Sequence, residues 1–397
     1  MIRIVFVDDE VHVLEALRRT MHSMRKEWAM EFVVSGADAL KSLAKDPADV
    51  IVSDMRMPGM DGCELLAEVK KLYPQTVRLV LSGHADSGAI MRLVGTAHQY
   101  IAKPGETESL KAAIAQTQLL KQLLCSDWLA QLVGRVGTLP SWPQAFQDIS
   151  NCLRQPNATV ADAARIVGRD VGMTANIMKL VNSAFFGARQ SITSVDRAVA
   201  YLGLNTLAAL VLGHSLFRSS GSNARDGARL EGLWQHSLQT AMAARTIALH
   251  EKLSLARAEE AFLAGMLHDV GRVVFAAQNA VETGEQVKSE EEMAAHIDKH
   301  HAEVGAYLLG LWGFPSHIVA AVALHHRPSQ RADSGLDLTA LIHIADRLTH
   351  AQGEQSPGPV ELGLGIEPGL LEGLGLLSHL PQWAAALDAL GREQTAP

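Results

Sequence analysis

Short apolar runs alternate with amphipathic segments over roughly the first hundred positions of the chain. IRIVFV (Ile2–Val7) has the continuous hydrophobicity of a strand buried on both faces, and VHVLEALRRTMHSM after it carries apolar residues at helical spacing. FVV (32–34), ADVIVSDM (48–55), VRLVLSGH (77–84) and HQYIAKP (98–104) are further strand candidates, with helical patterns between them. Strands alternating with helices predict a parallel sheet covered on both faces, here a five-stranded α/β domain over residues 1–120. Polar residues gather where these strands end, at the carboxyl edge where open α/β sheets carry their sites.

The pattern then changes. Leu110, Ile114, Leu120, Leu124, Trp128 and Leu132 mark an intermittent apolar stripe, which predicts one connecting helix over 107–137. Such a helix could also pair two copies of the chain, so a homodimer is an expected possibility. Pro140 and Pro143 end it. From Gln144 onward every periodic segment reads as helix. This gives an all-α half over 138–350, divided into subdomains 138–220 and 228–350 by the loop SSGSNARDG (219–227). A Gly- and Pro-rich stretch then leads into short closing helices in a tail over 351–397.

Composition narrows the classes. The chain has 397 residues, 48% of them hydrophobic and 20% charged, the profile of a globular protein of two or three domains. A net charge of −8 argues against non-specific binding to nucleic acid or anionic membranes, and no basic helix-turn-helix pattern favours DNA. Three cysteines without ligand spacing (Cys63, Cys125, Cys152) fit a reducing compartment. No run reaches the length that spans a bilayer, and no leader pattern opens the chain, so the expected location is cytoplasmic.

The first chemical constellation lies on the strand ends. Asp8 and Asp9 follow the first strand, Asp54 the third, Ser82 the fourth and Lys103 the fifth, so a parallel sheet would gather all five at one edge. Carboxylates meeting there repel unless a cation joins them, and Mg²⁺ suits a carboxylate site that handles phosphate. A carboxylate in line with a phosphoryl donor can become an aspartyl phosphate, with lysine and hydroxyl groups bonding its oxygens. FVDDE, SDMRMPGMDG, LSGH and YIAKP together resemble the receiver domain of two-component response regulators, with its flavodoxin-like fold. That resemblance implies Asp54 as phosphoacceptor and Asp8, Asp9, Asp54 and the Arg56 carbonyl as Mg²⁺ ligands. It implies Ser82, Tyr100 and Lys103 as the groups that read the phosphate, a cis bond before Pro104, and a sensor histidine kinase as partner.

The second constellation is built from histidines. WQHSLQTA, MLHDVG, HHAEVG, ALHHRP and HIADRL bring His236, His268, Asp269, His300, His301, His325, His326 and Asp346 onto separate helices. Pointed into one bundle core, imidazoles and carboxylates form a mixed site suited to Fe, Mn, Zn or Ni. The alternative is a hydrogen-bonded core of neutral histidines, which would leave many buried polar groups to satisfy. Gly271 would mark the turn that lets His268 and Asp269 reach one point. The order of these residues resembles the HD superfamily. LPSWPQAFQDI, DVGMTANIMKLVNSAFFG, SITSVDRAVAYLG, AFLAGMLHDVGR and LHHRP resemble its HDOD branch, whose members serve as signalling or scaffolding modules.

By that resemblance His236, His268, Asp269, His301, His325, His326 and Asp346 occupy ligand positions, and His300 is an exposed neighbour. Any catalysis would fall to Asp269 and Arg272. Arg272 stands where active phosphodiesterases carry lysine, however, and RPSQRADSG replaces their GYP loop. The expectation is therefore a non-catalytic, metal-binding output domain that meets an unidentified signalling protein. A metal-dependent phosphohydrolase acting on a nucleotide or cyclic dinucleotide is the alternative.

Overall fold

The computed structural model of the chain describes residues 1–82, 95–102, 107–121, 127–141, 143–155, 157–182, 191–212, 224–277, 290–331, 335–353, 366–367 and 369–395. Five parallel strands, β1 (Ile2–Val7), β2 (Trp28–Val33), β3 (Val50–Asp54), β4 (Val77–Ser82) and β5 (Gln99–Ala102), lie in the order β2-β1-β3-β4-β5. Alternate residues of the central strands enter two separate cores. Ile4, Phe6, Val52 and Leu79 fill one face, while Val5, Val7, Ile51 and Val80 fill the other. That division is why these strands read as unbroken hydrophobic runs.

Helices α1 (Val11–Thr20), α2 (Gly36–Lys45) and α3 (Gly62–Leu72) complete the described layers with α4 (Thr107–Lys121). Side-chain caps fix two starts: Ser35 accepts from the Asp38 N–H, and Asp61 forms a reciprocal capping box with Glu64. Strand β2 starts at Trp28, ahead of the expected FVV. The buried Trp28 indole anchors that start, while exposed Ala29 hides the pattern.

The expected connecting helix over 107–137 is seen as two helices, α4 and α5 (Asp127–Gly134), and residues 122–126 lie outside the described residues. Helix α4 buries Leu110, Ile114 and Leu120. Among its described side chains the exposed ones are Glu108, Ser109, Ala112, Ala115 and Gln118, and the Leu119 side chain lies outside the described residues.

The helical half contains α6 (Pro143–Arg154), α7 (Val160–Val167), α8 (Val171–Val181), α9 (Val195–Leu212) and α10 (Ala224–His250). It continues through α11 (Leu255–Leu267), α12 (Val270–Ala277), α13 (Glu290–Leu311), α14 (Ser316–Leu324) and α15 (Leu338–Gly353). Asn182, just past α8, bonds both the N–H and the carbonyl of Ile192. Helix α10 begins at Ala224, inside the expected loop. The tail forms α16 (Leu370–Leu374) and α17 (Leu380–Thr395), pinned by the fully buried Trp383, whose indole N–H donates to Glu251 at 2.9 Å. No helix among the described residues is long and apolar enough to cross a membrane.

The two halves share packed contacts. Gln99 on β5 donates to the carbonyl of Leu311 at the end of α13, at 3.0 Å. The side chain of Leu120 fills the space where a Cβ on Gly310 would lie. Burying a leucine of this kind contributes roughly 1.5–3 kcal/mol. Lys179 of α8 donates to Gly137 and lies over the Trp312 ring at 4.5 Å. Trp312 thus packs against Lys179, eleven residues along from His301.

Candidate functional site

Strand register assembles the first site. Val7 pairs with Ser53, so Asp8 and Asp54, each one residue further on, stand side by side at the carboxyl edge. Asp54 in turn pairs with Leu81, which places Ser82 one residue beyond, and Ser82 pairs with Ala102, the residue before Lys103. Asp8 is buried and accepts the Glu10 N–H at 3.0 Å, and Asp54 accepts the Arg56 N–H at 2.8 Å. Asp9 is half-buried beside them, and Arg56 is exposed at the start of the following loop. Two neighbouring carboxylates, one of them buried, suit a hard divalent cation. Asp8, Asp9, Asp54 and the Arg56 carbonyl are the groups that would hold Mg²⁺.

Tyr100 is turned into the sheet's second core, and its hydroxyl finds no hydrogen-bond partner among the described residues. Burial raises its pKa well above the ordinary tyrosine value. The Ser82 side chain, Lys103 and Pro104 lie outside the described residues.

The second site is assembled from six helices, α10 to α15. Helix α10 supplies His236, the α11–α12 junction His268 and Asp269, and α13 His301. The end of α14 supplies His325 and His326, and α15 supplies Asp346. Gly271 is not the expected turn, because it lies within α12. A Cβ there would strike the His301 carbonyl oxygen, so the missing side chain is what lets α12 lie against α13.

Backbone carbonyls orient three of the imidazoles in the same way. His268 Nδ1 lies 2.7 Å from the Gly265 oxygen, His301 Nδ1 3.1 Å from that of Ile297, and His325 Nδ1 2.7 Å from that of Val322. Each Nδ1 therefore carries a proton, and each Nε2 points inward. Nε2 of His268 has no hydrogen-bond partner although it is buried; Asp346 Oδ1 lies 3.5 Å away and Asp269 Oδ2 3.8 Å. Nε2 of His301 faces Asp269 Oδ1 at 3.2 Å and Nε2 of His325 at 3.4 Å. Inward Nε2 atoms beside two carboxylates are a donor set that could hold a cation, and imidazoles anchored through Nδ1 are the usual arrangement around a transition metal. His343 supplies the contrast. It donates to the His325 carbonyl and accepts the Glu367 N–H, a structural histidine with both nitrogens used.

Electrostatics separates the imidazoles. Burial opposes a charge on His268, but Asp269 and Asp346 outweigh it and raise its pKa to about 9. Burial dominates at the others, lowering His301, driving His325 well below the ordinary value and bringing His326 to about 4. Asp269 and Asp346 are held below the usual carboxylate range, against burial, by the surrounding cations and hydrogen bonds.

Arg272 is committed to Asp269, at 3.0 Å from Nε, and to Asp298, at 2.5 Å from Nη1. His300, expected to be exposed, is buried and contacts Glu303 at 3.3 Å while packing on His296. The sequence pattern did not point to two residues of the site. His350 lies 3.1 Å from Asp346 Oδ1, and Arg347 donates to His326 Nδ1 at 3.0 Å. His350 was findable, since it sits four residues after Asp346 on one helix face. A cleft of about 440 Å³ opens over the cluster, lined by His236, Arg272, His326, Asp346, Arg347 and His350 among others.

Comparison with known families matches residues 4–115 to the response regulator receiver domain and residues 139–328 to the HDOD domain. The chain is a receiver–HDOD response regulator. The receiver carries the aspartate edge, and the HDOD half carries the histidine cluster, whose α15 residues fall beyond the family match. An uncharacterized protein of Treponema pallidum (strain Nichols) is 26% identical over 236 residues, 56% of this chain and 44% of that protein. The hydrogenase transcriptional regulatory protein HoxA of Cupriavidus necator is 39% identical over 115 residues, 28% of this chain and 23% of HoxA. The chain thus matches less than half the length of either relative. Among solved structures, the MmoQ response regulator of Methylococcus capsulatus aligns at 23% identity with a TM-score of 0.48, covering 63% of this chain and 97% of MmoQ.

Proposed function

We propose that this response regulator takes a phosphoryl group from a sensor histidine kinase onto Asp54, and that the receiver thereby controls an HDOD domain whose output is a protein-interaction surface. In the transfer, an Asp54 carboxylate oxygen attacks phosphorus as the donor's bond to phosphorus breaks. Bound Mg²⁺ would offset the charge that gathers on the oxygens. Ser82 and Lys103 follow Asp54 across the register and are the groups to engage the new phosphoryl oxygens, with Tyr100 adjusting behind them.

The observation that carries this reading is the double engagement of α13. Its last turn holds Gln99 of β5 and Leu120 of α4, and its middle carries His301 of the cluster. A change at the receiver's carboxyl edge would reach the helix that supports the HDOD site along β5, whose first residue, Gln99, makes the contact. The cluster is read as a metal centre that braces the bundle, its donors suiting Fe, Mn, Zn or Ni. Against the hydrolase alternative stands Arg272, held by Asp269 and Asp298 and so not free to grip phosphate.

The test is hydrogen–deuterium exchange over residues 290–311 with and without acetyl phosphate, in the wild type and in Asp54→Asn. Exchange should change only in the wild type. An equal response in both proteins, or none in either, refutes the proposal.

A further inference from the structure

Strand β2 is an open edge of the receiver sheet, pairing with β1 alone among the described strands. The Ile2 N–H donates to the Glu27 carbonyl, and the Asp8 N–H to that of Val33. Those bonds fix the phase of the strand. Its odd-numbered residues turn their backbone groups toward β1, so Trp28, Met30 and Phe32 turn theirs outward. None of these outward N–H and carbonyl groups has a partner among the described residues. An edge presented in this way is a template for another strand.

The same residues floor a cleft of about 520 Å³ whose wall is Arg18, His22 and Arg25. Phe32 stacks on Phe6 at 4.9 Å, and the Arg18 guanidinium lies 4.8 Å from the centre of the Phe32 ring. A ring contact holds that charge over the cleft without consuming its N–H donors. Between positions 18 and 26 the chain carries Arg18, Arg19, Arg25 and Lys26 and no acid, although its net charge is −8. These side chains are exposed, and none pairs with a carboxylate among the described residues. The other flank of β2 has the opposite sign. There Glu31 and Asp46 stand together, already matched by Arg3.

We propose that this edge is the docking site for an extended acidic segment of a partner protein, which adds to β2 as a further strand. Backbone bonds to Trp28, Met30 and Phe32 supply the attachment, and carboxylates at every second position meet Arg18 and Arg25. The residues between them turn toward Glu31 and Asp46 and have to be neutral. A second copy of β2 is a poor occupant, because pairing would set two basic walls side by side.

The probe is a short fluorescein-labelled peptide of alternating glutamate and threonine, titrated with the full-length chain by fluorescence anisotropy. Saturable binding is expected, weakened at least about tenfold by Arg18→Glu with Arg25→Glu, both at exposed positions. Met30→Pro should weaken it comparably, since it deletes an outward N–H and leaves the bonds to β1 in place. A third measurement uses only the wild-type protein. N-methylation of one alternate row of the peptide's amides should abolish binding, and methylation of the other row should leave it. Absence of saturable binding, indifference to the arginine variants, or equal effects of the two methylations refutes the proposal. Sedimentation that shows dimers lost in Met30→Pro would give the edge to a second copy instead. Oligothymidylate binding that falls in the arginine variant but survives Met30→Pro would make the patch a nucleic-acid surface, and either result overturns the assignment.

Discussion

Replacing Arg78 by methionine tests how the receiver sheet is joined to helix α5. Arg78 lies on β4 and is fully buried. Its guanidinium donates to the carbonyls of Thr96 at 2.7 Å, Thr76 at 3.0 Å, Pro74 at 3.3 Å and Gly134, the last residue of α5, at 2.7 Å. Methionine fills most of the same volume without donating, so the variant isolates the hydrogen bonds from the packing. Arg78 also donates to His98 Nε2 at 2.8 Å, and its shortest bonds to carbonyls are those to Thr96 and Gly134. A buried acceptor left without a partner costs roughly 1–3 kcal/mol, and the charge on the donor places each near the upper end. Two such losses come to about 4–6 kcal/mol. Relief from holding a buried cation offsets part of that, leaving a net destabilisation of about 3 kcal/mol.

The assay is urea unfolding followed by circular dichroism and by tryptophan fluorescence, since Trp28 reports on β2 and Trp128 on α5. With a slope of about 2 kcal/mol per molar urea, the receiver midpoint should fall by about 1.5 M. A shift below about 0.3 M, with the slope unchanged, would refute the claim that Arg78 bonds β4 to α5.

Three further outcomes are expected. Gly271→Ala forces α12 away from the His301 carbonyl; overpacking of this kind costs about 1–3 kcal/mol, and an unchanged melting temperature would count against the close approach. Leu120→Ala should cost about 2–5 kcal/mol and separate the melting of the two halves, a result read by calorimetry, whereas one unshifted transition would contradict it. Glu251 gives a pH dependence. Burial opposes its charge, but hydrogen bonds from His379, His250 and Trp383 prevail and hold its pKa below the ordinary glutamate value. Its contribution is therefore present above the unfolded value of about 4.3 and is lost as pH falls through the folded one. Glu251→Gln should flatten the stability profile over roughly pH 5 to 3, and an unaltered slope in urea titrations across that range would argue against the anchor.

Much of this was legible in the chain itself, for identifiable reasons. Strand ends are local, so Asp8, Asp54 and Ser82 could be placed on one edge from alternation alone. The cluster histidines could be named by type, because few helical cores gather so many. What escaped depends on contacts between distant segments. Arg78 sits in VRLVLSGH like a surface charge, and only the approach of Gly134, 56 positions later, makes it a buried anchor. Gly271 read as a turn because nothing local reports the carbonyl of His301. Nothing local marks Arg347, since only the end of α14 brings His326 against it. The exposure of His300 was misjudged for the same reason, since the neighbours that cover it are set by packing.

The placement of Asp346, Arg347 and His350 on α15 has a practical bearing on fragment design. A fragment cut at the end of the family match, residue 328, would lose all three. One ending after α15 would still lack Trp383 and strip the cover from α10 at Glu251. Binding or interaction measurements on such pieces would report on an unroofed bundle, so the smallest faithful reagent for the output half runs through α17.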